Sequence, residues 1–391
     1  MKPTSVFVLY ANEAHSEVST QKYLEAVKPG SSLDTILNII TQNKIPLAYS
    51  TQGIDLDMLH VVNPKAYEIL TNTPHISLIN GTYTHVLPTF HPEQFDDQMH
   101  FANKVDARAY MFPEFDVPRF GLRSIDGPIL LCEQVNNYYD YKRELFANAS
   151  KTTSHALNVQ ASCHSLTGIV TQSAGNMRNM YLKMLRGVES VDATLSQFQT
   201  DAILASHHDV PVVFLTDLEA YIINEAKEKL CAFLDAYGSQ TECVASTLNK
   251  QVIHKYDMLA KTRAPTRIST RPKQKWITSN DPHGIFDSIR AIDDGALPEY
   301  FLKALFEGST SDVYSAQLGL NRPDGYLAKL PKTGAGTQEI VIKSDAQRIA
   351  ETLHLLECVR SRTPVHKRTH IALSPASQEK MEIFHRVFAR D

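Results

Sequence analysis

The chain has 391 residues, 43% of them apolar, and a formal net charge of −4. That length and composition supply a core for one large or two moderate domains, and the charge speaks against nucleic-acid binding by overall attraction. The five cysteines (Cys132, Cys163, Cys231, Cys243, Cys358) are odd in number, widely spaced and without a C-x-x-C pair, which argues against a disulfide framework and against a thiolate zinc site.

The first 115 residues alternate strand and helix signals. Ser5–Tyr10 reads as a buried strand, too short for a signal peptide. Ser31 to Asp34 caps a helix that runs on through Ile40. Residues 45–50 read as a strand, and Asn63-Pro64 opens a second helix with proline at its first position. A strand at 75–80, a helix at 92–105 and a strand at 109–112 follow. Such alternation implies parallel strands with right-handed crossovers, in an open sheet or a barrel. No G-x-G-x-x-G follows the first strand and no G-x-x-x-x-G-K-[ST] occurs, so the two commonest nucleotide-binding readings lose their support.

Between 120 and 210 the pattern is less regular. Pro128–Cys132 reads as a strand and Asn176–Arg186 as a helix. Tyr138-Tyr-Asp-Tyr141, with Asn136 and Asn137, reads as an irregular aromatic loop, or as a surface that stacks on a sugar. Val212–Leu215 is a continuous apolar run of the kind that fills a buried parallel strand. From 226 to 391 helical signals dominate: 224–237, 242–259, 298–307, 344–360 and 374–386. The segment Lys261–Lys275 carries six basic residues and no acid. It reads as a solvated loop, with a site for an anionic partner as the sharper alternative. No apolar run approaches the roughly 20 residues of a membrane span. The expectation is a cytoplasmic protein with neither nucleic-acid nor membrane partners.

Two strands end in carboxylates. Val212–Leu215 runs into Thr216, Asp217 and Glu219, and Ala109–Phe112 runs into Pro113 and Glu114. Catalytic groups gather at the C-terminal ends of parallel barrel strands. Carboxylates from two such ends can converge over the mouth, as glycoside hydrolysis requires of its nucleophile and its acid. Read blandly, Asp217 is a helix cap and Glu114 a surface acid. A third strand breaks at Asn80-Gly81 and leads to Tyr83 and His85.

The order of these motifs resembles glycoside hydrolase family 57. Asn80-Gly-Thr-Tyr-Thr-His85-Val-Leu-Pro88 resembles its glycine, tyrosine and histidine segment. Phe112-Pro-Glu114-Phe115 resembles its nucleophile motif, usually Trp-x-Pro-Glu. Asp217-Leu-Glu219-Ala-Tyr221 is similar to its Asp-x-Glu-x-Phe motif, whose first aspartate is the acid/base. Trp276 to His283 is similar to a Ser-Asp-His segment of amylase-like members. The family's opening His-Gln-Pro is replaced here by Tyr10-Ala-Asn12-Glu13-Ala-His15, and Trp276 is the single tryptophan.

This resemblance implies an α/β fold: a distorted (β/α)7 barrel over residues 1–225, followed by a mainly helical region at 226–391 packed on it. It implies a retaining glycoside hydrolase or glycosyl-transferring enzyme acting on an α-linked sugar. Glu114 would be the nucleophile. Asp217, holding its proton near neutral pH, would be the acid/base. His15, Tyr83, His85, Glu219, Trp276 and Asp281 would bind the carbohydrate, and neither a metal nor a cofactor is expected. Two rival readings stand beside it. One is a metal-dependent sugar deacetylase with ligands drawn from His85, His91, His207, His208, Asp209 and Asp217. The other is a non-catalytic carbohydrate-binding or scaffold protein.

Overall fold

The structure, a computed structural model, describes residues 2, 4–11, 26–83, 88, 95–102, 107–117, 122, 125–132, 136–140, 146–147, 156–160, 165–171, 183–185, 187–205, 210–218, 221, 226–240, 242–270 and 386. In chain order its elements are β1 (Thr4–Tyr10), α1 (Ser32–Gln42), β2 (Leu47–Thr51), α2 (Gly53–Val62) and α3 (Pro64–Asn72). Next come β3 (Ile76–Asn80), α4 (Phe95–Ala102), β4 (Ala109–Tyr110), β5 (Ile129–Cys132), β6 (Asn136–Asp140) and β7 (Phe146–Ala147). Then follow β8 (Ala156–Gln160), β9 (Ser165–Thr171), α5 (Val191–Ala205), β10 (Val212–Asp217) and α6 (Lys227–Gly238). The last are β11 (Val244–Ser246), α7 (Lys250–Lys261) and β12 (Pro265–Thr270).

The helix starts follow local chemistry. Ser31 accepts from the Asp34 N–H, while Asp34 Oδ2 accepts from the Gly30 N–H at 2.6 Å. Asn63 Oδ1 accepts from the Ala66 N–H, with Pro64 supplying the first helical φ of α3.

The strands form one sheet in the order β10-β1-β2-β3-β4-β5-β9-β8-β12-β6-β7, with β11 added to the start of β1. The first seven of these run parallel. At β9 the sheet changes character: its far edge is taken by β8, antiparallel, over Ser165 to Ile169. The sheet nevertheless curls until β9 and β10 have Cα atoms within 8 Å, although no ladder joins them. The result is a seven-stranded α/β barrel with an unpaired seam.

Side chains alternate across this wall. On one face Val6, Val8, Tyr10, Ala48, Ile79, Met111, Leu130, Ile169, Val213 and Leu215 form the interior cluster. On the other, Phe7, Leu9, Leu47, Tyr49, Leu78, Val212 and Phe214 meet the surrounding helices. There Phe7, Phe198, Phe214, Phe233 and Tyr237 form an aromatic knot joining β1 and β10 to α5 and α6, with ring centroids 4.1–6.4 Å apart. Contacts of this kind add about 0.5–1.5 kcal/mol each to area burial.

Helix α7 fills the seam. Its Val252, Tyr256 and Ala260 belong to the interior cluster. The Tyr256 hydroxyl donates to the Pro211 carbonyl, just ahead of β10. One residue on, Asp257 accepts from the Thr167 hydroxyl of β9 at 2.6 Å. Burial raises the Tyr256 pKa, so the phenol stays a donor.

Three expectations need correction. Asn136–Asp140 is not an irregular loop but a strand antiparallel to β12. Its partner Pro265–Thr270 lies in the basic segment read as a solvated loop, because β6 and β8 accept it as a sheet neighbour. The helix expected at 242–259 begins only at Lys250, since Val244–Ser246 pairs with β1 and Asn249 supplies the cap. Of the region 226–391, the described residues contribute α6, α7, β11 and β12. The helices expected at 298–307 and 344–360 lie outside them, as does that at 374–386 apart from residue 386.

Tyr256→Phe would leave the buried Pro211 carbonyl without its partner across the seam. The expected loss is about 1–3 kcal/mol of unfolding free energy. Urea denaturation checks it, with an unchanged slope against denaturant.

Candidate active site

The register of the parallel ladders aligns the strand ends around one mouth. Asp217 lies opposite Tyr10, Tyr10 opposite Ser50, and Ser50 opposite Ile79. One step further on, Thr51 lies opposite Asn80 and Asn80 opposite Tyr110. Asp217 therefore closes β10 at the interior alternation position shared by Val213 and Leu215.

Glu114 follows β4 in a single tight turn, Pro113–Phe115. The turn is closed by the Phe115 N–H donating to Phe112 and the Asp116 N–H donating to Pro113, both at 2.9 Å. Phe115 has a φ of +55°, a left-handed conformation that costs a non-glycine residue roughly 1–2 kcal/mol. Its ring is anchored in the interior cluster. The Met111 N–H donates to Asn80 at 2.7 Å, so the segment leaving β4 is tied to the end of β3. Gly81 is needed here for close approach, since a Cβ would stand 2.9 Å from the Met111 carbonyl oxygen. Two carboxylate-bearing segments thus leave different strands at the same end of one barrel.

Between them sits a buried polar network that no motif announced. Gln52, 1% exposed, has an amide orientation that satisfies all its neighbours. In it the amide oxygen accepts from the Tyr10 hydroxyl at 3.2 Å, and the nitrogen donates to Asp55 Oδ2 at 2.9 Å and to the Ala11 carbonyl at 3.3 Å. The Thr51 hydroxyl also donates to Asp55 at 3.2 Å. Asp55 is 2% exposed and stands in the first turn of α2, where the helix dipole favours a negative charge. A carboxylate is thereby held among donors at the barrel rim. Beside it, the Ser50 hydroxyl is buried without a hydrogen-bond partner.

Of the residues expected to bind sugar, Tyr83 is placed against α2. It is 6% exposed and donates to Asp57 Oδ2 at 2.8 Å. Burial, then the Asp57 charge and hydrogen bond, then the charge of Asp55, raise its pKa well above the ordinary phenol value. Its ring lies on Gly53, where a Cβ would come within 2.6 Å of Cδ2. His15, His85, Glu219, Trp276 and Asp281 lie outside the described residues. So do His91, His207, His208 and Asp209 of the metal-dependent reading. Among the described residues no group of three or more His, Cys, Asp or Glu could hold a metal ion, and no helix is long and apolar enough to cross a membrane.

No family model matches the chain, and no curated protein matches it in sequence. Solved GH57 enzymes are among its structural neighbours. It is similar to a GH57 branching enzyme from Thermococcus kodakaraensis at 10% identity and a TM-score of 0.49, covering 100% of this chain and 95% of that one. It is similar to a 4-alpha-glucanotransferase from Thermococcus litoralis at 12% identity and a TM-score of 0.48, covering 99% of this chain. The chain spans 60% of that enzyme's length. A protein from Mycobacterium smegmatis assigned as a polysaccharide deacetylase is similar at 10% identity and a TM-score of 0.43, over 70% of this chain and 96% of that one.

Tyr83→Phe removes one buried hydrogen bond to a carboxylate and leaves the ring in place. The expected cost is about 1–3 kcal/mol, read by chemical denaturation.

Proposed function

We propose that the barrel mouth is the active site of a retaining glycoside hydrolase or glycosyl-transferring enzyme acting on an α-linked sugar. Glu114 is the nucleophile and Asp217 the acid/base. One observation carries the reading: Glu114 and Asp217 belong to segments leaving the C-terminal ends of two different strands of one parallel barrel. Around the ring of seven, β4 and β10 stand three places apart one way and four the other, so they face each other across the mouth. A ring of seven strands spaced about 4.8 Å and tilted about 36° is about 13 Å across. A retaining mechanism asks that the two carboxyl groups stand about 5–5.5 Å apart across it.

In the first step Glu114 attacks the anomeric carbon. The glycosidic C–O bond breaks, and Asp217 passes its proton to the departing oxygen. In the second, Asp217 takes a proton from water or from an acceptor hydroxyl, whose oxygen displaces Glu114 and restores the starting configuration. The Gln52, Asp55 and Tyr10 network holds the rim between the two carboxylates.

The test is turnover of activated α-glycosides by the wild type, Glu114→Ala and Asp217→Ala. Glu114→Ala should be inactive, with azide restoring turnover as a glycosyl azide of inverted configuration. Asp217→Ala should lose about 10²–10⁴-fold, least with the best leaving groups. If no glycoside is turned over, or both variants match the wild type, the reading fails. Zinc-dependent release of acetate from acetylated sugars would then move the mouth to the deacetylase class.

A further inference from the structure

The hydrogen bonds at the rim have a direction, and Asp55 sets it. A carboxylate only accepts, so the Gln52 amide turns its nitrogen to Asp55 Oδ2, at 2.9 Å, and its oxygen to the Tyr10 hydroxyl, at 3.2 Å. The reverse orientation would set the amide oxygen against the carboxylate. The Thr51 hydroxyl donates to the same Oδ2, and the first turn of α2 adds its dipole. A phenol has one proton, and here it goes to Gln52. To any other neighbour Tyr10 presents its oxygen as an acceptor.

The ladder decides which neighbour that is. Tyr10 belongs to the interior cluster and is the Cα partner of Asp217 on the adjacent strand. The two residues therefore stand side by side, at the strand spacing of about 4.8 Å, on one face of the sheet. A phenol beside a carboxylate ordinarily donates to it and so favours the ionised form. An acid/base residue needs the opposite, because it must keep its proton until the leaving oxygen takes it.

We propose that Asp55 and Gln52 are positioning residues that draw the Tyr10 proton away from Asp217, which stays in its acid form for want of that donor. This rests on the assignment of Asp217 as the acid/base, and it gives the buried rim network a task in the reaction. Other titratable groups at this end of the barrel are Asp57 with its partner Tyr83, Cys132 closing β5, and Glu114 and Asp116 beyond β4. The Glu114 charge acts in the same sense, against ionisation of Asp217. Strand β9, across the seam, has no titratable residue, and α5 meets the outer face of β10 through Phe198. Tyr256 and Asp257 of α7 are engaged at Pro211 and Thr167, towards the starts of β10 and β9.

The test is the pH dependence of kcat/KM for an α-glycoside with a poor leaving group, whose alkaline limb reports loss of the Asp217 proton in the free enzyme. In Asp55→Asn the Gln52 amide can reverse and donate to the phenol, whose proton then turns to Asp217. The ionised form gains a donor, so the limb should move to lower pH by about one pH unit. Gln52→Met should move it the same way. Tyr10→Phe has no phenol proton to redirect and should leave the limb in place. Added to either of the other variants, it should return the limb to the wild-type position. A limb that stays put in Asp55→Asn and Gln52→Met overturns the proposal. So does a shift that survives the added Tyr10→Phe, since the phenol then has no part in it. Should Asp55→Asn fail to fold, Gln52→Met, which keeps the carboxylate, carries the same test. Asp217→Ala separates the two levels. If it is as active as the wild type, the acid/base assignment and this proposal fall together; if it is impaired, an unmoved limb overturns this proposal alone.

Discussion

The barrel depends on α7 standing where an eighth strand would otherwise complete the circle. Seven parallel strands curl far enough to bring β9 and β10 together, but β9 gives its free edge to β8. The interior would then open sideways through the gap, exposing Val213, Leu215 and Ile169. Tyr256 hydrogen-bonds one lip of the gap and Asp257 the other, while Val252 and Ala260 supply the apolar surface between. Backbone ladders hold six of the seven junctions, and side chains hold the last.

The rim shows the opposite economy, with polar groups kept inside. Gln52, Asp55, Thr51 and Tyr10 satisfy one another at nearly complete burial, so each fixes the rotamer of the next. The turn at Phe115 adds backbone strain beside a candidate nucleophile. Such strain persists only where surrounding packing over-determines it. Here the two hydrogen bonds of the turn and the anchored Phe115 ring provide that restraint.

Much of this was readable in the chain, for physical reasons that differ by element. Strands β1, β2, β3, β5 and β10 are buried on both faces and read as near-continuous apolar runs. Helices α1 and α3 announce themselves through Ser31 and Asn63-Pro64. Strand β9, Ser-Leu-Thr-Gly-Ile-Val-Thr, does not, because Thr167 and Thr171 are turned to hydrogen-bond partners and Gly168 to packed side chains, which breaks the apolar run. Gly168 itself packs where a Cβ would meet Leu131 at 2.6 Å. Strands β6 and β12 exist because they pair with each other, which no local pattern encodes. The rim network hid for a similar reason. Thr51-Gln-Gly-Ile-Asp55-Leu-Asp57 looks like an ordinary helix start, and only the register of β1 against β2 brings Tyr10 to it. Segments bearing Glu114 and Asp217 were legible because a carboxylate just beyond an apolar run is rare enough to notice.

The wedge also orders events during synthesis. When a ribosome has released everything up to β10, the sheet can form, but residues 250–261 are still to come. The nascent barrel at that stage is an open trough with an apolar floor. Two unmatched lips, at Pro211 and Thr167, wait for a helix some 45 to 90 residues downstream of them in the chain. Long-range closures of this sort come late and slowly. For this chain, productive folding is therefore a race between the arrival of α7 and the pairing of that trough with another like it.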